Sequence, residues 1–394
     1  MSDRKRFENF DKKRMEIFKE LVKQVWDDKL SNENLEHIAA DIVSKYGYNR
    51  DEISFVKDHI RVAMGLNPNS NLNFSDELEK IKENKKVESP ILTRIEGACK
   101  DCGEQIEDCD CFDVCKYEAQ MYKRSSGPII IEDKCLSCGR CTVACSYGAL
   151  ADKIEFIPLI NLLQDEDTKV FAAVAPSIAG QFGDDISMGQ LRTAFKLMGF
   201  EDMVEVALFA DILTIKEAYE FDKLINTKDD FFLTSCCCPV WINMVERSYP
   251  GLFEHMSPSV SPMIASGRFL KKLYPDSKVV FMSPCTAKKA EAKDPRLEDA
   301  IDFVLTYQEL KEVFGVLEID LINLPEDNKD HASFAGRVYA RTGGVSLSVK
   351  TVVNRIAPDR LINLKAKKVD GVKSCKEVLE KLKNGESLGA NFIE

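Results

Sequence analysis

The chain has only four histidines and two tryptophans in 394 residues. It also lacks any uninterrupted apolar run of about 18 residues, so a membrane-spanning helix is not expected. His37, His59, His255 and His331 are not at ligand spacing, which argues against histidine-based zinc hydrolysis. Basic charge is in deficit. The 54 Lys and Arg against 65 Asp and Glu give a net charge of −11, which argues against a nucleic-acid partner. The opening MSDRKRFENFDKKRMEIFKEL is charged throughout and carries no apolar signal stretch, so the expected location is the cytoplasm. No G-x-G-x-x-G follows a strand pattern, so a dinucleotide cofactor is not expected.

Cysteine is abundant instead. Fourteen are present, and nine of them fall between residues 91 and 150. In a cytoplasmic chain they read as metal ligands or redox groups rather than disulfides, and soft thiolates suit iron–sulfur clusters or zinc.

Three regions can be distinguished, and the fold class expected is multidomain α+β and α/β. Residues 1–90 form a helical N-terminal region. Phe18, Leu21, Val22 and Val25 recur at helical spacing, as do Leu35, Ile38, Ala39 and Ile42, then Ile53, Val56, Ile60 and Ala63. NPNSNLN after Leu66 ends that pattern. Residues 91–150 are cysteine-rich with few apolar runs, so metal sites should supply much of their stability. Residues 151–394 alternate strands with helices, as in KVFAAVAP before MGQLRTAFKLMGF, MVEVALF before TIKEAYEFDKLI, and KVVFMSP before TAKKAEA. Such alternation implies substantially parallel sheets, with functional groups where strands end and helices begin.

Cys135, Cys138, Cys141 and Cys145 give C-x2-C-x2-C-x3-C, with Ser146 where a proline is usual. A turn of this kind wraps three thiolates around one 4Fe–4S cubane and points the fourth to a neighbouring cluster. Upstream, Cys99, Cys102, Cys111 and Cys115 are the best four of a less regular run. Cys109 is a spare thiol or alternative third ligand, and zinc is an alternative for this run. Crossed ligation would place Cys145 on the first cluster and Cys115 on the second. Residues 97–150 thus resemble a bacterial two-cluster ferredoxin domain, a wire that implies an electron source or consumer in the large domain.

Two further runs sit at apparent strand ends. In Thr234-Ser235-Cys236-Cys237-Cys238-Pro239-Val240-Trp241, amides of the following helix are expected to lower thiol pKa values. In Ser283-Pro284-Cys285-Thr286-Ala287-Lys288-Lys289-Ala290-Glu291, two lysines make an electropositive setting for anionic ligands. T-S-C-C-C-P-x-W and P-C-x-x-K-x-x-E resemble, in sequence and in order, the first two signature motifs of the iron-only (FeFe) hydrogenases. Val174-Ala175-Pro176-Ser177 and Thr342-Gly343-Gly344-Val345 are similar to two other stretches lining that family's active site. The extra cysteine, Ser283 and the helical N-terminal region look like a less-studied subgroup.

The resemblance implies reversible dihydrogen oxidation or proton reduction. Electrons would be relayed through two 4Fe–4S clusters to a ferredoxin-like or other redox carrier, on a two-lobed α/β large-subunit fold. It implies a cofactor, the H-cluster, in which a cubane is joined through cysteine to a two-iron unit carrying CO, cyanide and a dithiolate. Cys238 and Cys285 resemble its first two cubane ligands, Cys237 the proton-passing thiol, and Lys288 the lysine that holds one cyanide. Pro176 and Ser177 resemble contacts to the other cyanide. Glu217, Glu220 and Ser257 are candidates for the proton route beyond Cys237, with solvated or capping roles as alternatives.

The family's Met before Pro-Cys is absent. Its third motif, with the remaining two cubane ligands, should begin where the sequence stops at Asn391-Phe392-Ile393-Glu394. Cys375, in the apparent helix VKSCKEVLEKL, reads as a buried small residue and not as a replacement. Two ligands would not hold the H-cluster stably. The expectations are therefore an iron-only hydrogenase homologue whose sequence is truncated, or a non-catalytic relative that transfers electrons or senses clusters.

Overall fold

A computed structural model of the chain describes residues 10–49, 52–70, 72–82, 86–97, 110–115, 119–123, 127–234, 237–329 and 331–394. The N-terminal region holds α1 (Phe10–Trp26), α2 (Asn32–Tyr46), α3 (Ile53–Ala63) and α4 (Phe74–Lys82). Local chemistry sets the limits of α2. The Ser31 side chain accepts the Asn34 N–H at 3.1 Å, and Gly47 at φ 67° closes the last turn onto the Val43 and Ser44 carbonyls. Leu35, Ile38, Ala39 and Ile42 are the buried stripe, as their spacing predicts.

The cysteine-rich region contains β1 (Leu92–Arg94), α5 (Asp110–Asp113), β2 (Gln120–Lys123), β3 (Gly127–Ile130), α6 (Arg140–Ala144) and β4 (Leu150–Asp152). β1 pairs with β4 and β2 with β3, both antiparallel. After α7 (Ile157–Leu163) come β5 (Val170–Val174), α8 (Met188–Leu197), β6 (Asp202–Glu205) and α9 (Ala207–Leu224). They are followed by β7 (Phe232–Leu233), α10 (Pro239–Ser248), α11 (Pro262–Leu273), β8 (Lys278–Ser283) and α12 (Ala287–Glu291). The remainder is β9 (Phe303–Thr306), α13 (Tyr307–Val316), α14 (Phe334–Val338), α15 (Gly344–Ile356), β10 (Ala366–Lys367), α16 (Val372–Lys383) and β11 (Phe392–Ile393). No helix among the described residues is long and apolar enough to cross a membrane. The run MVEVALF is not one strand: β6 stops at Glu205. Ala207, Phe209, Ala210 and Leu213 already lie on the buried face of α9, where helical packing outweighs the apolar run.

The strands form two parallel sheets, ordered β6-β5-β8-β9 and β10-β11-β7. Successive residues of a strand face opposite sides; β5, β7 and β11 are buried on both, while the edge strand β10 is exposed. Val170, Ala172 and Val174 of β5 join one core with the N-terminal helices, Cys141 and Cys145, while Phe171 and Ala173 join another with α11. In the second sheet Phe232 and Phe392 pack on α9 and α15, and Leu233 and Ile393 pack on Trp241 and α16. The first of these cores runs without a break from Phe10 to Phe314, so the N-terminal helices, the cysteine-rich region and the large sheet share it.

A buried ion network fastens the same regions. Lys289 on α12, with no exposed area, donates to Asp152 at 3.0 Å, to the Lys153 carbonyl at 2.8 Å and to Glu309. Arg14 of α1 reaches Asp152 at 2.7 Å. Burial alone would raise the Asp152 pKa, but the Arg14 guanidinium and Lys289 ammonium hold it well below the usual carboxylate range. Asp152→Asn removes the anion between two cations and is expected to cost about 3–5 kcal/mol at pH 7 in anaerobic urea unfolding. A depressed native pKa stabilises fully above the unfolded carboxylate value of about 4, and that stabilisation is lost as pH falls through the native value. The two proteins should therefore converge in stability only below pH ~4; equal stability at pH 7 would contradict the assignment.

Candidate functional site

From β5 the chain continues to β6 on one side, and from β8 to β9 on the other, so the order reverses between β5 and β8. A crevice opens at such a reversal beyond the carboxyl ends of the strands. Ala175-Pro176-Ser177 enter it from β5, and Pro284-Cys285 and α12 enter it from β8. The second sheet contributes from its own carboxyl ends: β7 runs into the cysteine turn and β11 into Glu394. Parallel strands direct all these segments toward one edge.

Each side chain is held locally. The Ser177 hydroxyl lies 2.8 Å from the Tyr307 hydroxyl. Ser283 Oγ accepts the Cys285 N–H at 3.1 Å and donates to the Cys285 carbonyl at 2.8 Å, which fixes the turn. Trp241 Nε1 donates to the Thr234 carbonyl at 2.8 Å and closes the start of α10, of which Cys238 is the N-cap. Lys288 is buried and pairs with Glu291 at 2.6 Å, one helical turn on. Burial opposes its charge, but Glu291 and, behind it, the neighbouring Cys285 and Cys237 side chains hold its pKa above the usual lysine value. Lys288 therefore presents a fixed positive charge to the cysteines.

Cys237, Cys238, Cys285 and Lys288 are close enough for their charges to couple. Cys237 and Cys238 are hemmed in by protein yet keep exposed area, as groups lining a narrow cleft do; the area decides whether a small ligand reaches them. Burial and a neighbouring Cys238 thiolate push the Cys237 thiol up to about 12, against the pull of Lys288. Cys238 also shifts upward, chiefly through burial, although the Trp241 and Val240 N–H groups and Lys288 pull the other way. The lowering expected from helix-end amides is thus outweighed. The amides are present, but a small group of donors does not replace the water lost.

Glu217 is fully buried and accepts from Thr234 Oγ1 at 3.0 and 3.1 Å, so the solvated role considered for it does not hold. Glu220, one turn on, accepts from Ser257 Oγ at 2.9 Å. Glu394 receives the Gly343, Val345 and Ser346 N–H groups at 2.7, 3.3 and 2.8 Å and caps α15. That cap ties the T-G-G-V stretch to β11, a link no local pattern announced. Cys375, on α16, is half-buried and lies within electrostatic reach of Cys238.

Cys115, Cys135, Cys138 and Cys141 line one apolar cavity with Leu92, Val114 and Ile130. Cys145 does not line that cavity; it is buried in the core, with backbone N–H groups of residues 147–150 directed at its sulfur. Burial, reinforced by Cys135, Cys138 and Cys115, pushes the Cys141 thiol up to about 12. The donors suit a cubane rather than one ion. Four thiols are spread round a wall, and among the described residues no three Cys, His, Asp or Glu groups converge as a single metal would require. Cys99, Cys102 and Cys109 lie outside the described residues.

Comparison with known proteins agrees with this geometry. Residues 168–394 match the family described as iron only hydrogenase large subunit, C-terminal domain. The chain belongs to that family. Residues 128–151 match the 4Fe-4S binding domain, which covers the second cysteine run. Iron hydrogenase 1 of Clostridium pasteurianum is 29% identical over 387 residues, 77% of this chain and 67% of that protein. The NADP-reducing hydrogenase subunit HndD of Solidesulfovibrio fructosivorans is 26% identical over 64% of this chain and 48% of its own length. The cytosolic Fe-S cluster assembly factor NAR1 of Yarrowia lipolytica is 24% identical over 50% of this chain and 45% of its own length. The chain thus spans about two thirds of the first of these relatives and about half of the other two. In fold it is similar to the FeFe-hydrogenase HydA(deltaEFG), with a TM-score of 0.50 and 22% identity over 60% of this chain and 79% of that one. The protein is a hydrogenase-like iron–sulfur protein.

Thr234→Val keeps the shape of the side chain but removes both hydrogen bonds to the buried Glu217 carboxylate. It is expected to lower stability by about 1–3 kcal/mol in anaerobic urea unfolding. No change would mean that Glu217 does not depend on Thr234.

Proposed function

We propose that the chain carries the catalytic-type core of a hydrogenase, interconverting protons plus electrons with dihydrogen. The carrying observation is that Cys237, Cys238, Cys285 and Lys288 meet at the carboxyl ends of two parallel sheets. Cys238 and Cys285 would hold the cubane of the H-cluster, and Lys288, fixed as a cation by Glu291, would anchor an anionic cyanide ligand. Pro176 and Ser177 face the same crevice from β5, with Ser177 oriented by Tyr307. When bound, that cofactor supplies the iron on which protons and electrons combine. Two cysteines do not complete a cubane, so the reading requires two more thiolates, which the family's third motif would supply after β11.

Electrons would pass through a 4Fe–4S cluster on Cys115, Cys135, Cys138 and Cys141. A second cluster would sit on Cys99, Cys102, Cys111 and Cys145, with a ferredoxin-like or other redox carrier as donor or acceptor. Cys237, raised in pKa and so protonated at neutral pH, would hand its proton to the reacting centre. Glu217, followed by the Ser257–Glu220 pair, would return protons toward the surface, because Glu217 is buried and Glu220 is half-exposed one turn away.

The second reading is a non-catalytic hydrogenase-like protein that transfers electrons or senses clusters; the likeness to proteins named as Fe-S cluster assembly factors favours it. Two measurements separate the readings. Codons after 394 should encode M-x-C-x-G-G-C for the enzyme. The anaerobically matured full-length protein should bind ~14 iron atoms and show CO and cyanide infrared bands, against ~8 and none for the alternative. In the enzyme, Cys238→Ala should abolish hydrogen evolution together with the cubane. Cys237→Ala should keep the infrared bands and slow turnover by at least ~100-fold. Unchanged evolution in either variant would remove that residue from the mechanism.

A further inference from the structure

The turn that carries Cys135, Cys138 and Cys141 is fastened to both segments bearing the candidate cubane ligands. On one side, Arg247, in the last turn of α10, donates from Nη1 to the carbonyls of Glu132 at 3.1 Å, Asp133 at 3.1 Å and Cys135 at 2.6 Å. The same helix begins at Cys238, so one rigid rod has a candidate ligand at its first turn and a clamp on the cluster turn at its last. On the other side, Gly139 sits at φ 73°, and a Cβ there would lie 2.4 Å from Thr286 Oγ1. The backbone between Cys138 and Cys141 therefore rests on the side chain of Thr286, the residue after Cys285, and leaves no room for a side chain at position 139. Along the third edge, Val372 of α16 lines the cysteine cavity, and Cys375, one turn on, lies within electrostatic reach of Cys238.

Arg247 stands out because hydrogen bonding does not require its charge. It is an exposed guanidinium whose Nη1 is shared among three neutral carbonyls of a ligand turn, while its charge also bears on the Asp294 carboxylate. A fixed positive charge beside a cluster stabilises its reduced, more negative state, and charge is among the factors that set a cluster's potential.

Resting on the iron–sulfur reading above, we infer that Arg247 is a positioning residue for electron transfer: it holds the cluster of Cys115, Cys135, Cys138 and Cys141 against the helix that begins at Cys238, and raises that cluster's reduction potential. The step is a single-electron transfer. The reduced cluster would give up one electron and be oxidised, and the redox carrier would gain it; no bond breaks and no proton moves.

The test compares wild type, Arg247→Gln and Arg247→Lys as the full chain, reconstituted anaerobically with iron and sulfide and titrated with dithionite under electron paramagnetic resonance. Arg247→Gln is expected to bind as much iron as wild type and to shift the cluster midpoint to more negative potential. Arg247→Lys, which keeps the charge but not the planar fork, is expected to fall between the two. A midpoint in Arg247→Gln equal to wild type overturns the inference, and so does Arg247→Lys matching Arg247→Gln. A wild-type chain that binds no cluster overturns instead the iron–sulfur reading beneath it.

Discussion

A buried ammonium joins the parts of this molecule. Lys289 has no contact with water and is held between Asp152 and Glu309, with Arg14 closing the network from the first helix. An isolated charge in that position would be prohibitive, so the cation persists only while α1, β4, α12 and α13 are all in place. Its neighbour Lys288 depends on this arrangement. The two lysines leave α12 in different directions, one into the network and one toward the cysteines, so anchoring the first aims the second.

Parallel pairing does the rest of the assembly. Segments distant in sequence are brought together because β7 and β8, of two different parallel sheets, both end beside the site, and the order reversal between β5 and β8 leaves space for a ligand. The cysteine-rich region has little core of its own, yet it is held against the crevice by the shared apolar core, by Arg247 and by the Gly139–Thr286 contact. Such a region can keep a defined position relative to the crevice without a large interface, because its contacts are backbone-specific.

Much of the fold was legible in the sequence. Apolar spacing placed α1 to α3 and the alternation of strands and helices, since periodicity is a local property of the chain. Strand limits were less legible. In MVEVALF the apolar run crosses from β6 into α9, and only the packing of Phe209 and Leu213 decides where extension stops. The thiol pKa values of Cys237 and Cys238 ran against the local expectation, because desolvation is set by everything packed around the turn and not by the helix that follows it.

The sequence by itself determined the iron–sulfur character, because three thiolates of one cubane lie within a single short turn and their spacing is a local fact. It likewise pointed to Cys238, Cys285 and Lys288 as candidate site residues at strand ends. Crossed ligation, read from spacing alone, already grouped Cys115 with Cys135, Cys138 and Cys141, and the tertiary structure sets Cys115 at the cavity those three line. Only the tertiary structure decided the burial of Glu217, the Glu394 cap on the T-G-G-V helix and the reach of Arg247 to the cluster turn. Those relations depend on which strands neighbour one another and which way each crossover runs, and no window of neighbouring residues encodes that order.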